Sequence, residues 1–159
     1  MITIEAANNN DKPYLLKAMA CLLEHVRDTS QDEYLLRLTD DYIEDSEEWV
    51  EKILASDKSN TYVAKKDGAS VGYVIGTVAR PFIQRCEIKN IGLIEHCWVE
   101  RECRKKGIAA QLVEVIEKWF RDNSIQYIDV QYLLGNIEAE VAWEKLGYKP
   151  YRVISRKVL

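Results

Sequence analysis

Residues 94–109 read IEHCWVERECRKKGIA and carry the strongest structural signal in the chain. They include the end of an apolar, β-rich run over residues 91–99, which predicts a strand. From Ile108 onward the apolar residues recur at helical spacing, which predicts a helix over residues 104–122. A strand, a short basic turn and an amphipathic helix in this order are typical of a β-α-β step in an α/β protein.

The start of this helix carries an unusual charge. Four cationic side chains lie there: Arg101, Arg104, Lys105 and Lys106. Acidic residues would suit the helix dipole better. One interpretation is an anion site, in which free amides at the helix N-terminus hold a diphosphate that Gly107 and the small Ala109 allow to approach closely. The other interpretation, a solvated basic turn, remains open.

A second informative segment, residues 135–148, reads GNIEAEVAWEKLGY. It predicts a helix that begins at Asn136 and is stopped by Gly147. Together the two segments resemble the GCN5-related N-acetyltransferase (GNAT) family. Residues 104–109 match its Gln/Arg-x-x-Gly-x-Gly/Ala diphosphate loop, and residues 136–148 match its Asn-x-x-Ala-x-x-x-aromatic-Glu-Lys-Leu-Gly-aromatic ending. Either motif alone is weak, but both in this order are specific.

The resemblance implies a site for acetyl-CoA between two splayed parallel strands, residues 95–99 and 126–132. The backbone of the first strand is expected to pair with the pantetheine arm as if with an added strand. The loop is expected to hold the diphosphate, and no metal ion is implied. The residues that the resemblance assigns to cofactor binding are Cys97, Trp98, Val99, Arg104, Lys105, Lys106, Gly107, Ile108, Ala109, Asn136 and Trp143.

The chemistry calls for a base, because a free alkylamine with a pKa of about 10 is almost fully protonated at neutral pH. The resemblance implies Glu95 as this base, or as an acid that binds the substrate, acting directly or through water. The alternative is a carboxylate that merely pairs with Arg101. His96 has the better intrinsic pKa but alternates to the opposite face, and only a bulge in the strand would turn it inward.

Two positions limit the chemistry further. The aromatic residue of the second motif is commonly a tyrosine that protonates the departing thiolate, and here it is Trp143, whose indole N–H cannot release its proton. This departure puts acid catalysis in doubt rather than acetyl transfer. Tyr132 and Tyr148 are alternative donors, and Trp143 as a core residue is a further alternative. Cys97 is expected to be a buried thiol without a covalent role.

The rest of the chain predicts one domain over residues 1–159. Strands are predicted at residues 2–4, 61–64, 71–78, 91–99, 126–132 and from Tyr148 onward. Asp67-Gly68 should form the turn of a hairpin. Residues 28–45 are acidic and form either a short helix or an ordered loop. With the resemblance, this order predicts an α/β fold with a mixed, mostly antiparallel sheet of six to seven strands, about four flanking helices and a splayed parallel pair.

Composition excludes other classes of function. Lysine and arginine number 22 and aspartate and glutamate 26, so the formal net charge of −4 gives little attraction to nucleic acid or anionic membranes. No apolar run approaches the roughly 20 residues of a membrane span, and no targeting segment is evident. The four cysteines lack a CxxC pair, and we expect free thiols in a cytoplasmic protein.

The expected acceptor is a primary amine of a small molecule, namely an aminoglycoside, a polyamine or an amino-acid-like compound, that attacks directly in a ternary complex. Acidic residues near the implied acceptor site would attract a cation, although a solvated helix face explains most of them. They are Asp40, Asp41, Glu44, Asp45, Glu47, Glu48 and Glu51. The alternatives are a protein N-terminal or lysine acetyltransferase and a non-catalytic acyl-CoA-binding module. The oligomeric state stays open, with a homodimer as one option.

Overall fold

A computed structural model describes residues 1–159 and contains five strands and five α-helices. The strands are β1 (Ile2–Ala6), β2 (Ser59–Lys66), β3 (Ala69–Ala79), β4 (Ile91–Val99) and β5 (Ile128–Val130). The helices are α1 (Lys12–Ser30), α2 (Glu33–Leu36), α3 (Tyr42–Ala55), α4 (Ile108–Asp122) and α5 (Ile137–Lys145). None of these helices is both long and apolar enough to cross a lipid bilayer.

The strands form one sheet in the order β1-β2-β3-β4-β5. All neighbours are antiparallel except β4 and β5, which are parallel. The mixed, mostly antiparallel sheet is therefore confirmed. The hairpin is also confirmed, because β2 and β3 join at Asp67 and Gly68, which have φ values of 51° and 85°. A two-residue hairpin turn of this kind requires positive φ at both positions.

The prediction of six to seven strands is wrong, because no strand follows Tyr148. The residues beyond it make no backbone hydrogen bond. Side chains hold this terminal segment instead: the Tyr151 hydroxyl donates to Asp129 at 2.6 Å, and Arg156 pairs with Asp32 at 3.0 Å. These contacts satisfy polar side chains without building a ladder, so β5 remains the edge of the sheet.

The two parallel strands part early. Their pairing ends where Ile94 lies opposite Val130, so β5 is shorter than the predicted strand at residues 126–132. Beyond that point β4 continues to Val99 with β3 on one side only. The sheet therefore has an open backbone edge over residues 95–99.

A β-bulge explains why the strands part. Ile75 pairs with His96 and Gly76 pairs with Ile94, which leaves Glu95 as the extra residue of β4. A bulge bends its strand and increases the local twist. Because this bulge follows directly after the last pair between β4 and β5, it turns the end of β4 away from its neighbour.

Helices cover both faces of the sheet. The α4 face includes Leu112, Ile116 and Phe120 packed near Val74 and Ile94. The opposite face packs Leu15 of α1 and Val50 of α3 against Val63, Tyr73 and Trp98. The predicted start of the long helix at Arg104 is wrong, because Lys105 and Gly107 have φ values of 60° and 76° that no α-helix accommodates.

The close approach of α4 to the sheet at Gly76 gives a stability prediction. A Cβ at this position would lie 2.6 Å from Cγ1 of Ile116 and 2.8 Å from Cζ of Phe120, and both side chains are fully buried. We expect Gly76→Ala to lower the free energy of unfolding by about 1–3 kcal/mol through overpacking. Urea denaturation measures the change, and an unaltered midpoint would argue against this tight contact.

Candidate active site

A row of backbone amides opens at the start of α4. The amides of residues 105–110 donate to no protein group. On either side of this row, the amide of Arg104 donates to the carbonyl of Arg101 at 3.3 Å, and that of Gln111 donates to Gly107 at 3.1 Å. No side chain caps α4, and its first turn contains no acidic residue. Consecutive free N–H groups at a helix N-terminus form a concave site for an anion.

Gly107 gives the loop its shape. Its φ of 76° lies in the left-handed region, and a Cβ added there would meet no protein atom within 4 Å. The glycine is therefore required by the backbone conformation and not by packing. The next side chain, Ile108, is buried in the core, so this residue offers the loop only its backbone. Ala109 is half-buried against the same core.

The side chain of Arg104 folds back along the cleft instead of extending into solvent. Its Nε donates to the carbonyl of Val99 at 3.0 Å, and its Nη1 donates to Glu138 at 2.8 Å. The guanidinium carbon lies 4.5 Å from the centroid of the buried Trp98 ring. Arg104 therefore connects the end of β4 with the first turn of α5.

A cavity of about 460 Å³ lies beside this arginine. It is lined by His25, Arg101, Arg104, Lys105 and Glu138. Nε2 of His25 lies 3.3 Å from Oε2 of Glu138, and the His25 ring meets Trp98 edge-on at 5.8 Å between centroids. Burial, followed by the nearby Arg104, lowers the pKa of His25. The imidazole is therefore mainly neutral at pH 7.

Two residues of this cavity did not emerge from the sequence. His25 belongs to α1 and Glu138 to α5, and only the tertiary fold brings them to the basic loop. The capping residue Asn136 indicates that a helix begins just before Glu138. Nothing in the sequence indicates which side chain Glu138 contacts. Trp98 was predicted to contribute its backbone, whereas its ring supports Arg104.

Glu95 lies on the bulge with an exposed side chain. Partial desolvation raises the pKa of its carboxyl, and a hydrogen bond with Thr77 opposes this shift. A raised pKa makes a carboxylate a better proton acceptor at neutral pH. The bulge thus places one titratable carboxylate at the point where the open edge of β4 begins.

The same bulge determines the position of His96. The ring of His96 lies 5.1 Å from that of Trp49 on α3, and its Nδ1 lies 3.3 Å from the hydroxyl of the buried Tyr73. The strand does contain the bulge that an inward turn of His96 requires. Burial nevertheless lowers the pKa of His96 to about 4, so it is a weak proton acceptor at neutral pH.

This pKa predicts a pH-dependent stability. An unfolded histidine has a pKa of about 6.5, so between pH 6.5 and 4 the unfolded state binds more protons than the folded state. The free energy of unfolding should therefore fall by up to about 3 kcal/mol as the pH drops through this window. Urea denaturation of wild type and His96→Gln should show a shallower pH dependence in the variant. An NMR titration that gives His96 a pKa near 6.5 would contradict this expectation.

Three further predicted residues are Cys97, Asn136 and Lys106. Burial raises the pKa of the Cys97 thiol to about 12, which leaves it protonated at neutral pH. Asn136 is buried, and its Oδ1 caps α5 by accepting from the amide of Ala139 at 3.2 Å. Its Nδ2 donates to no protein group. Lys106 donates through Nζ to the carbonyl of Glu102 at 2.8 Å, so its ammonium group is turned toward the preceding turn.

Trp143 and Tyr148 are the two aromatic residues that concern the protonation of the departing thiolate. Trp143 is buried in the core and meets Tyr148 edge-on at 5.2 Å between centroids. The Tyr148 hydroxyl donates to Glu117 at 2.8 Å. Burial, together with this hydrogen bond, raises the pKa of Tyr148. The contacts of Trp143 are those of a core residue, and the proton of Tyr148 is already engaged.

Known proteins resemble this chain in sequence and in fold. A sequence model of the acetyltransferase (GNAT) family matches residues 23–148. The aminoglycoside N(6')-acetyltransferase type 1 of Salmonella enteritidis is 25% identical over 127 residues, which are 80% of this chain and 85% of the relative. The structure of the aminoglycoside N-acetyltransferase AAC(6')-Iy in complex with CoA has a TM-score of 0.76 and 17% identity, over 99% of this chain and 95% of that one.

The same acetyltransferase bound to the bisubstrate analogue CoA-S-monomethyl-acetylneamine has a TM-score of 0.73 and 18% identity, over 100% of this chain and 99% of that one. These structures show that the fold is shared. The unpaired amides of residues 105–110 and the open space at Gly107 fit the diphosphate of CoA. The family model covers the basic loop, α4 and α5, and the chain therefore belongs to the acetyltransferase (GNAT) family, whose acetyl donor is acetyl-CoA.

Proposed function

We propose that this protein transfers the acetyl group of acetyl-CoA to a primary amine of a small cationic acceptor, of the aminoglycoside or polyamine class, by direct attack in a ternary complex. The proposal depends most on one observation, the open edge of β4. One end of this edge carries Glu95, and the other leads into the unpaired amides of residues 105–110. At about 3.3 Å per residue, the edge from Glu95 to Val99 spans about 13 Å.

The cofactor would lie along this edge. The amides of residues 105–110 would bind the diphosphate, and the cavity's cations would add positive charge. The backbone groups of Cys97 and Val99 would pair with the pantetheine arm as an added strand does, whereas the backbone of Trp98 faces β3, where this residue pairs with Tyr73. Nδ2 of Asn136, which has no protein partner, would donate to the same arm. When bound, acetyl-CoA supplies the thioester from which the acetyl group is taken.

Glu95 accepts the proton of the acceptor's ammonium group, directly or through a water molecule. Its raised pKa and its exposed position on the bulge support this role. Trp143 lacks an acidic proton, and the hydroxyl of Tyr148 is engaged with Glu117. The thiol of CoA would therefore leave as a thiolate that local dipoles stabilise, and the second proton that the amine nitrogen loses on acylation would pass to solvent.

The acceptor class is supported by the surface beside the bulge. Trp49 of α3 contacts His96, the neighbour of Glu95, so α3 lies next to the proposed base. This helix exposes five acidic side chains: Glu44, Asp45, Glu47, Glu48 and Glu51. Lys12 and Lys52 neutralise two of them in part. A negative surface raises the local concentration of a polycation, and the Salmonella relative is named for an aminoglycoside.

A thiol-release assay over a panel of amines tests the proposal. The panel holds aminoglycosides, polyamines, free amino acids, a lysine-containing peptide and a peptide with a free N-terminus. We expect the highest kcat/KM for a small polycationic amine. Turnover confined to the peptides would indicate a protein acetyltransferase. CoA binding without turnover on any amine would indicate a non-catalytic acyl-CoA-binding module.

A further inference from the structure

Arg104 and Glu138 join the two sides of the proposed cofactor cleft. Arg104 is bonded to the end of β4 through the carbonyl of Val99 and to α5 through Glu138. The same carboxylate oxygen of Glu138 lies 3.3 Å from Nε2 of His25 on α1. One carboxylate therefore ties the basic loop to two helices, and all three charged or titratable side chains line the same cavity.

These contacts occupy groups that the proposed cofactor would need. The Val99 carbonyl belongs to the open edge of β4, and Nε of Arg104 already donates to it. The guanidinium of Arg104 faces a carboxylate, although it begins the loop whose amides are free. A diphosphate on residues 105–110 would place a second anion close to Glu138, and like charges in a partly buried site repel.

We propose that Glu138 is a resident anion that competes with the diphosphate of CoA for Arg104 and thereby sets the affinity of the site. This inference rests on the proposed function of the loop. On binding, Arg104 exchanges the carboxylate of Glu138 for the diphosphate and releases the Val99 carbonyl to the pantetheine arm. His25 of α1 then holds the Glu138 carboxylate between α1 and α5, away from the diphosphate.

A purely structural role of Glu138 predicts the opposite result. Glu138 lies in the first turn of α5, where a negative charge suits the helix dipole, and its pair with Arg104 would then hold the loop in shape. Its removal would loosen the loop and weaken CoA binding. Glu140 lies in the same first turn but makes no ion pair, so it shares only the dipole contribution and serves as a matched control.

Isothermal titration calorimetry with CoA separates the two roles. We expect Glu138→Gln to lower the Kd for CoA by about fivefold, and Glu140→Gln to leave it unchanged. The gain should shrink in high salt, because screening weakens the competition between charges. Pantetheine, which lacks the diphosphate, should show no gain with Glu138→Gln. Because the side chain of Glu138 is 55% exposed, the variant should fold, and thermal unfolding checks this.

The outcomes distinguish this inference from the function on which it rests. If wild type binds CoA and Glu138→Gln binds it equally or more weakly, the competition is refuted and the proposed function stands. A gain for pantetheine equal to that for CoA also refutes competition at the diphosphate. If wild type binds no CoA, the proposed function itself fails, and the inference fails with it.

Discussion

Glu95→Gln should lower kcat for acetyl transfer by about 100- to 1000-fold at neutral pH while leaving the Kd for CoA within about twofold of wild type. The substitution keeps the size of the side chain on the bulge but removes the proton acceptor, and general base catalysis contributes about 10²–10⁴-fold. Because Glu95 is exposed, stability should hardly change. Steady-state release of CoA with the best amine from the panel measures the effect.

The pH dependence and a matched variant sharpen this test. As the pH rises toward the pKa of the amine, more acceptor is already neutral, so the deficit of Glu95→Gln should shrink. Glu114→Gln removes an exposed carboxylate from α4 and should leave kcat unchanged. Equal kcat values for Glu95→Gln and wild type would reject Glu95 as the base. His96→Gln would then test the alternative base.

Gly107→Val should raise the Kd for CoA by about 100-fold or more. A β-branched residue does not adopt a φ of 76° without strain, so the loop shifts and its amides lose their common direction. Each hydrogen bond to a charged group contributes about 1.5–3 kcal/mol, so the loss of two reaches this magnitude. The added side chain also enters the open space through which the anion approaches. Calorimetry with CoA measures the change.

Gly68 provides the control for backbone strain. Its φ is 85° and, as at Gly107, a Cβ would meet no atom within 4 Å, but it lies in the hairpin turn between β2 and β3. Gly68→Val carries similar strain, and both variants should lose similar stability. Only Gly107→Val should lose CoA affinity. An equal loss in both would point to instability, and unchanged affinity of Gly107→Val would reject the loop assignment.

Elements whose conformation depends mainly on residues close in the sequence were predicted correctly. The hairpin at Asp67-Gly68 follows from two residues that accept positive φ, and α4 follows from the strong apolar stripe that includes Leu112 and Ile116. The two motifs together identified the family, which the match over residues 23–148 confirms. The hairpin and the helix each follow from about 15 residues of sequence or fewer, where spacing and turn residues determine the backbone.

The splayed parallel pair was expected from the family resemblance, but its structural cause was not predicted. The bulge at Glu95 results from the register between β3 and β4, and the early parting of β4 and β5 follows from it. The absence of the last predicted strand also depends on tertiary contacts. The residues after Tyr148 have a strand-like composition, but Asp129 and Asp32 bind their side chains and no ladder forms. Such outcomes are tertiary, and β-propensity alone cannot specify them.

The candidate site was predicted only in part, because some of its contacts depend on the tertiary fold. The basic loop could be recognised from its charges and from Gly107, because a helix that begins with cations departs from the dipole rule. The contact of Arg104 with Glu138 joins residues that lie 34 positions apart in the sequence. No spacing rule connects these positions, so only the fold shows that an anion of the chain already lies against the loop.

The most direct test of the account is an NMR titration of ¹⁵N-labelled protein with CoA. The backbone amide signals of residues 105–110 should show the largest shifts in the protein, and inorganic pyrophosphate should move the same signals in the same direction. If these signals stay in place at saturating CoA while signals elsewhere move, the amide row does not bind the diphosphate and the account is contradicted.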